Sequence, residues 1–281
     1  MQVGIVTRSF PEMNNQQAAE FMAARGFTIT ELCLSQTDSK YWAYNGTADI
    51  SGLSGRRVLE IADIYRGQGI QVHALGVFTN LIETDPEKLQ GNLSYFEQYM
   101  QFAQTAGIPF VSTECGFDPA SRGIRADLYE SRYALLLDSL SKLCDLAERY
   151  QVGLALEPCV LDVVPSAKRM ADTIRQVGSP RLKVLLDPAN LIANSSERDM
   201  FAYLKNDVAY FHGKDRKIND AYGRNVGEGD IDWPLFFSLY HQYNEGTPFI
   251  IEYPRADNCV EILNRVLDFD RQALQDQGGK S

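Results

Sequence analysis

The sequence Leu154-Ala155-Leu156-Glu157-Pro158 is a short apolar run that ends in a carboxylate and a proline. Three later runs have the same form and end in Asp187, His212 and Glu252. A charged side chain at the end of an otherwise buried strand costs free energy unless a partner or a ligand stabilises it there. The four runs therefore predict buried strands whose ends carry metal-ligand side chains.

The same alternation of apolar runs and amphipathic stretches extends over the whole chain. The four ligand-type residues follow one another at intervals of 30, 25 and 40 residues, about one strand–helix unit per step. Strands are predicted near residues 3–8, 28–34, 71–77, 109–115, 153–158, 182–187, 208–213 and 248–253. Eight strands that alternate with helices indicate an α/β fold, a closed (β/α)8 TIM barrel, rather than an open doubly wound sheet. We expect one domain over residues 1–281, with a polar tail from about residue 275.

Glycines and one aspartate mark the predicted helix ends. Gly26, Gly69, Gly107 and Gly178 each follow an amphipathic stretch, as is typical of helix C-caps. Asp232 precedes the stretch that begins at Trp233 and is predicted to be its N-cap. In a barrel of this kind the active site lies at the carboxyl ends of the strands. The four ligand-type residues are therefore expected to converge at one rim.

Composition excludes several classes of function. The net charge of −10 argues against a nucleic-acid partner, which needs clustered Lys and Arg. No apolar run approaches the roughly 18 residues of a membrane span. The amino terminus enters a predicted strand directly, and the five cysteines are scattered without a C-x-x-C pair. We therefore expect a cytoplasmic protein without a membrane partner.

Three carboxylates and one imidazole form a donor set that suits a divalent ion, foremost Mn²⁺, with Mg²⁺, Co²⁺ or Zn²⁺ as alternatives. Such an ion acts as a Lewis acid on a carbonyl, makes the adjacent C–H more acidic and stabilises the enediolate that follows. Glu157 and Glu252 lie on strands three steps apart, so they can approach a substrate from opposite sides as an acid/base pair. This arrangement fits the isomerisation or epimerisation of a hydroxy-ketone.

Longer phrases around these residues resemble a known superfamily. They are Leu156-Glu157-Pro158, Leu186-Asp187-Pro188-Ala189-Asn190, His212-Gly213-Lys214-Asp215 and Gly227-Glu228-Gly229-Asp230-Ile231-Asp232-Trp233, together with the first strand and Glu31-Leu32. The combination is similar to the sugar phosphate isomerase/epimerase superfamily, the xylose isomerase-like TIM barrels. The resemblance implies metal ligation by Glu157, Asp187, His212 and Glu252, with the two glutamates as acid/base pair. It also implies a sugar, keto-sugar or cyclitol ketone as the substrate to be isomerised or epimerised, and it makes a homo-oligomer possible.

Two positions depart from the ketose 3-epimerases of that superfamily. Many of them carry a His three residues after the Asp of the sixth strand, where this chain has Asn190. Their substrate-binding Arg has only a loose counterpart in Arg216. Endonuclease IV, another member, needs many histidines for its zinc site, and this chain has three.

Further polar residues near the predicted strand ends are candidates for substrate binding. They are His73, Glu114, Asn190, Lys214 and Arg216. Asp215 is expected to lie behind the ligands and orient His212 or the substrate. Each has a structural alternative, such as a helix cap or a rim salt bridge. Two other functions stay open: an inosose-type dehydratase on the same metal site, and a non-catalytic sugar-binding barrel.

Overall fold

The computed structural model describes residues 1–117 and 123–278. Eight parallel strands close into a barrel in the order β1 to β8, which confirms the predicted (β/α)8 TIM barrel. The strands are β1 Val3–Ile5, β2 Ile29–Leu32, β3 Gln71–Gly76, β4 Phe110–Glu114, β5 Gly153–Glu157, β6 Leu182–Leu186, β7 Val208–Gly213 and β8 Phe249–Ile251. The helices are α1 Asn15–Ala23, α2 Gly55–Gly67, α3 Pro86–Ala106, α4 Tyr129–Tyr150, α5 Ala167–Val177, α6 Pro188–Leu191, α7 Glu197–Leu204, α8 Trp233–Tyr243 and α9 Cys259–Gly278.

Most helix ends follow the local signals in the sequence. The Asp232 side chain accepts a hydrogen bond from Leu235 N, which confirms it as the N-cap of α8. Gly107 and Gly178 are left-handed C-caps of α3 and α5. Helix α9 continues to Gly278, into the stretch where the sequence predicts a polar tail, and residues 279–281 lie outside the described part.

Two clusters of apolar side chains form the core that supports the rim of the barrel. One large cluster fills the space between the strands and the surrounding helices. A small second cluster fills the barrel interior with Val6, Ile29, Ala74, Ala155, Leu185, Tyr210 and Ile250. The interior is therefore filled with side chains, and polar groups lie above it at the carboxyl ends of the strands. Among the described residues, no helix has both the length and the apolar character needed to cross a membrane.

His73 lies in this interior rather than at the rim. The pairing of β2 with β3 shifts by one residue at this point, so that His73 is the extra residue of a bulge. Its ring contacts Phe110 and Tyr210, with centroid distances of 5.2 Å to both. Its Nε2 lies 3.4 Å from the carbonyl of Ala209, near the start of β7. The structure thus places His73 towards the amino-terminal end of the barrel, away from the predicted substrate site.

Asp215 organises the loop between β7 and α8. Its Oδ2 accepts hydrogen bonds from Gly227 N at 2.9 Å and from Trp233 Nε1 at 2.8 Å. Its Oδ1 accepts from Arg216 N at 2.8 Å and from Ile231 N at 3.3 Å. Both carboxylate oxygens therefore face the loop. The expectation that Asp215 orients His212 or the substrate does not match this placement, because its acceptor positions are used by the loop.

The glycine motif of this loop follows from the same carboxylate. A Cβ on Gly229 would lie 2.1 Å from Asp215 Oδ1 and 2.5 Å from the carbonyl of Arg216. Only a residue without a side chain fits between them. The Lys-Asp and Gly-x-Gly-x-x-Asp-Trp phrases are thus two halves of one hydrogen-bonded loop.

Removal of the Asp215 charge should destabilise the protein. In Asp215→Asn one side-chain atom becomes a donor that faces other donors, so the free energy of unfolding should fall by about 2–4 kcal/mol. Asp138→Asn, which removes an exposed charge on α4, should cost less than about 1 kcal/mol. Urea unfolding of both variants measures this difference. An Asp215→Asn protein as stable as Asp138→Asn would contradict the role of the carboxylate.

The buried His73 should make stability depend on pH. Burial lowers the pKa of His73 below its ordinary value of 6.5. As the pH falls below 6.5, the unfolded chain binds a proton at this position and the folded protein does not. Folding stability should therefore decrease there, by up to about 1.4 kcal/mol per pH unit. In His73→Gln the difference in unfolding free energy between pH 8 and pH 5.5 should shrink; an unchanged difference would be inconsistent with a neutral buried ring.

Candidate active site

Four ligand-type side chains converge at the carboxyl ends of β5 to β8. Glu157 ends β5, Asp187 follows β6, His212 lies in β7 and Glu252 follows β8. One donor atom of each lies within 4.8 Å of the others. All four are at most 4% exposed. The closed barrel thus brings together the four residues that the sequence singles out.

The donor atoms in this cluster fit a divalent ion. His212 Nδ1 faces the cluster, 3.5 Å from Glu157 Oε1 and 3.8 Å from Glu252 Oε2. This buried nitrogen has no hydrogen-bond partner within residues 1–117 and 123–278. Asp187 uses Oδ1 to cap α6 through Ala189 N at 2.9 Å, which leaves Oδ2 for the cluster. An uncommitted ring nitrogen among carboxylate oxygens is the donor set of a metal such as Mn²⁺ or Zn²⁺.

Two cationic side chains contact the same carboxylates. Lys214 Nζ lies 2.8 Å from Glu252 Oε2, 2.9 Å from Asp187 Oδ2 and 3.6 Å from Glu157 Oε1. Arg8, which follows β1, forms an ion pair with Glu252. Buried charges are tolerated only when they are paired, so these cations offset part of the cost of three buried carboxylates.

The surroundings shift the pKa values of the ligands in different directions. Burial opposes ionisation of Glu157, but Lys214 and His212 hold its pKa well below the ordinary value. Burial and the charge of Glu157 raise the pKa of Asp187 to about 6, against the opposing effect of Lys214. Burial disfavours the charged form of His212, yet Glu31 and Glu157 raise its pKa to about 9. Glu157 is therefore an ionised carboxylate at neutral pH.

Asn190 and Arg216 lie beside the cluster. The Asn190 Nδ2 donates to Glu157 Oε1 at 2.8 Å, and its Oδ1 accepts from Arg216 Nη2 at 3.0 Å. Both residues are at least 95% buried, with exposures of 2% and 5%. Arg216 Nε and Nη1 have no hydrogen-bond partner among the described residues. The guanidinium thus has free donors next to a carboxylate of the cluster.

A cavity of about 470 Å³ opens above Glu252 and Lys214. Arg8, Trp42, Tyr44, Glu114 and Tyr253 also line it. The Glu114 carboxylate accepts from the Tyr44 hydroxyl at 3.2 Å. The ring centroids of Trp42 and Tyr44 lie 6.2 Å apart, and the two rings together form an aromatic wall of the cavity. Such a volume accommodates a small molecule, and the mixture of aromatic and charged walls suits a polyhydroxylated one.

The structure groups most, but not all, of the predicted site residues. Glu114, Asn190, Lys214 and Arg216 lie at the cluster or its cavity, whereas His73 and Asp215 do not. Arg8, Glu31 and Tyr210 contact the ligands and are not predicted as site residues from the sequence. Their signal in the sequence is weaker than that of the four ligands: Glu31 is the third residue of β2, and Arg8 comes three residues after β1.

Comparisons with known proteins find both similar sequences and similar solved structures. The L-ribulose-5-phosphate 3-epimerase UlaE of Salmonella paratyphi C (strain RKS4594) is 23% identical over 262 residues, which cover 90% of this chain and 87% of the relative. The solved IOLI protein with a bound zinc atom superposes with a TM-score of 0.77 at 17% identity, over 97% of this chain and 99% of that one. A D-psicose 3-epimerase, solved in the presence of D-fructose, superposes with a TM-score of 0.70 at 17% identity, over 98% and 97%.

A family model described as "Xylose isomerase-like TIM barrel" matches residues 17–275. This match extends from α1 into α9 and includes β2 to β8 with all four converging ligands. The chain belongs to the xylose isomerase-like TIM barrel family.

Proposed function

We propose that this protein is a divalent-metal-dependent isomerase or epimerase of a sugar, keto-sugar or cyclitol ketone. The observation that carries the proposal is the convergence of four donor atoms within 4.8 Å at the carboxyl ends of β5 to β8. The cavity of about 470 Å³ reaches one of these ligands, Glu252, and therefore gives a substrate access to the cluster. Relatives with the names L-ribulose-5-phosphate 3-epimerase and D-psicose 3-epimerase support an enzymatic role on carbohydrates.

Glu157, Asp187, His212 and Glu252 would hold the ion. Three oxygen donors and one nitrogen donor favour Mn²⁺, with Mg²⁺, Co²⁺ and Zn²⁺ as alternatives. When bound, the ion supplies Lewis-acid polarisation of the substrate carbonyl, which makes the neighbouring C–H more acidic. Proton transfer and substrate binding are assigned to the side chains of the protein.

Glu157 and Glu252 are proposed as the acid/base pair. Glu157 is ionised, and the amide of Asn190 fixes one of its oxygens at 2.8 Å. Glu252 comes from β8, three strands further around the closed barrel. One glutamate, as the carboxylate, removes the proton from the carbon beside the carbonyl, and the other, as the carboxylic acid, returns a proton to the opposite face. Inversion at that carbon follows because the proton leaves from one face and is replaced on the other.

Four polar residues are proposed to bind the substrate: Glu114, Asn190, Lys214 and Arg216. Arg216 has two buried donor nitrogens without a partner in the described part of the chain, and a substrate oxygen would satisfy them. Glu114 and Lys214 line the cavity and suit sugar hydroxyls. The five cysteines are free and buried, which agrees with the further proposal of a reducing, cytoplasmic setting.

Removal of either proposed acid/base carboxylate should abolish epimerisation but not all proton exchange. Glu157→Gln and Glu252→Gln should each lower turnover of a ketose substrate by at least about 100-fold. In D₂O with Mn²⁺, each variant should still exchange the C–H proton of one epimer only, because the remaining glutamate serves one face. NMR of a panel that includes L-ribulose 5-phosphate, D-psicose and D-fructose measures both effects.

The control is Glu60→Gln, which removes an exposed carboxylate on α2. It should behave as the wild type. Full turnover in either site variant would contradict the acid/base pair. Loss of water from the substrate, instead of an isomeric product, would identify the alternative dehydratase.

Metal binding should stabilise the folded protein through His212. At 100 times its Kd, Mn²⁺ should add about 2.7 kcal/mol, or about 5–10 °C in Tm. His212→Ala should lose this increment, whereas His241→Ala, which removes a histidine on α8, should keep it. Thermal unfolding with and without EDTA measures the increment. If none of the four candidate ions shifts the wild-type Tm, the barrel has no metal centre of this kind and the non-catalytic alternative gains support.

A further inference from the structure

A second buried carboxylate group lies behind the proposed metal ligands, on the far side of His212. Glu31, in β2, is fully buried. Its Oε2 is the meeting point of three polar groups: the Tyr210 hydroxyl at 2.5 Å, the Ser112 hydroxyl at 3.1 Å and His212 Nε2 at 3.1 Å. These partners belong to β4 and β7, so the contact crosses the interior of the barrel.

The barrel is shaped to hold this carboxylate. A Cβ on Gly76 would lie 2.6 Å from Glu31 Oε1, so the glycine of β3 leaves the space that the side chain occupies. Burying a carboxyl group costs free energy unless its neighbours satisfy it with hydrogen bonds. Three groups do so here, and one of them belongs to a proposed metal ligand.

The two ring nitrogens of His212 have different surroundings. Nε2 faces Glu31, and Nδ1 faces Glu157 and Glu252. A metal-bound imidazole offers one lone pair and keeps its proton on the other nitrogen. An acceptor at Nε2 therefore assigns the proton to that nitrogen and leaves Nδ1 for the ion. It also fixes the plane of the ring.

We propose that Glu31 is the positioning residue of the metal centre: it accepts the Nε2 proton of His212 and so presents Nδ1 to the divalent ion. The inference rests on the proposed function, because it requires a metal at the four-residue cluster. Glu31 acts through His212 and is not among the described residues that line the cavity. Tyr210 and Ser112 keep its Oε2 in place.

Metal affinity tests this role without any assay of activity. Titration calorimetry with Mn²⁺ compares the wild type with Glu31→Leu, which removes the acceptor, and Glu31→Gln, which keeps an acceptor oxygen but removes the charge. Loss of a carboxylate behind a ligating histidine should weaken Mn²⁺ binding by about 10–100-fold, more in Glu31→Leu than in Glu31→Gln. Ser112→Ala, which removes one hydrogen bond to the carboxylate, should weaken it by about fivefold.

Ser139→Ala is the matched control. Ser139 is also a fully buried serine, but it lies in α4 and its hydroxyl donates to the Leu81 carbonyl in the segment between β3 and α3. Its variant should bind Mn²⁺ as tightly as the wild type. If Ser139→Ala weakens binding as much as Ser112→Ala, the effect is a general loss of stability and the proposal is wrong.

The ring nitrogens supply a second readout. The chain has only three histidines, so ¹⁵N-histidine labelling of the Zn²⁺-loaded protein resolves His212 beside His73 and His241 as internal references. In the wild type, Nδ1 of His212 should show the shift of a metal-bound nitrogen, and Nε2 should carry the proton. In Glu31→Gln or Glu31→Leu this pattern should broaden or reverse.

Each outcome separates this inference from the proposed function. If the wild type binds Mn²⁺ and folded Glu31→Gln binds it within threefold with unchanged His212 signals, Glu31 is structural and this inference alone fails. If Glu31→Leu does not fold, Glu31→Gln and Ser112→Ala decide the question. If the wild type binds no divalent ion, the proposed function is overturned and this inference with it.

Discussion

The burial of several carboxylates at one end of the barrel is the constraint on which the rest of this structure depends. Glu31, Glu157, Asp187 and Glu252 are each at most 4% exposed. Their charges repel one another in a medium that screens poorly, so cations and donors have to lie among them. Lys214, Arg8 and the His212 ring serve this purpose. The proposed divalent ion would add further positive charge to the same cluster.

Neighbouring residues of one strand end perform different tasks because a strand alternates its faces. His212 and Lys214 are two residues apart, and both reach the cluster. Asp215, one position further, turns to the loop and binds the backbone of Gly227 and the indole of Trp233. One short phrase thus contributes a proposed ligand, a countercharge and the anchor of the loop that follows. A sequence motif at such a position therefore reflects the structure of the loop as much as the chemistry of the site.

The ligand cluster and the walls of the cavity come from different parts of the barrel. The proposed ligands lie at the carboxyl ends of β5 to β8. Part of the cavity wall comes from loops: Trp42 and Tyr44 belong to the segment between β2 and α2, and Tyr253 to the one between β8 and α9. Asn190 hydrogen-bonds to the proposed ligand Glu157 and to Arg216, and so joins the guanidinium to the cluster.

The sequence by itself determined the barrel, the caps at Gly107, Gly178 and Asp232, and the four strand-end residues, since each depends on local periodicity or on one charge after an apolar run. Only the tertiary structure decided the partners of Glu31, which are 81 and 181 residues away at Ser112 and His212. It also decided the interior place of His73, because a one-residue bulge changes which way a strand residue points. Local patterns reveal which residues are costly to bury. Closure of the barrel decides which of them meet, because those contacts join strands that are distant in sequence.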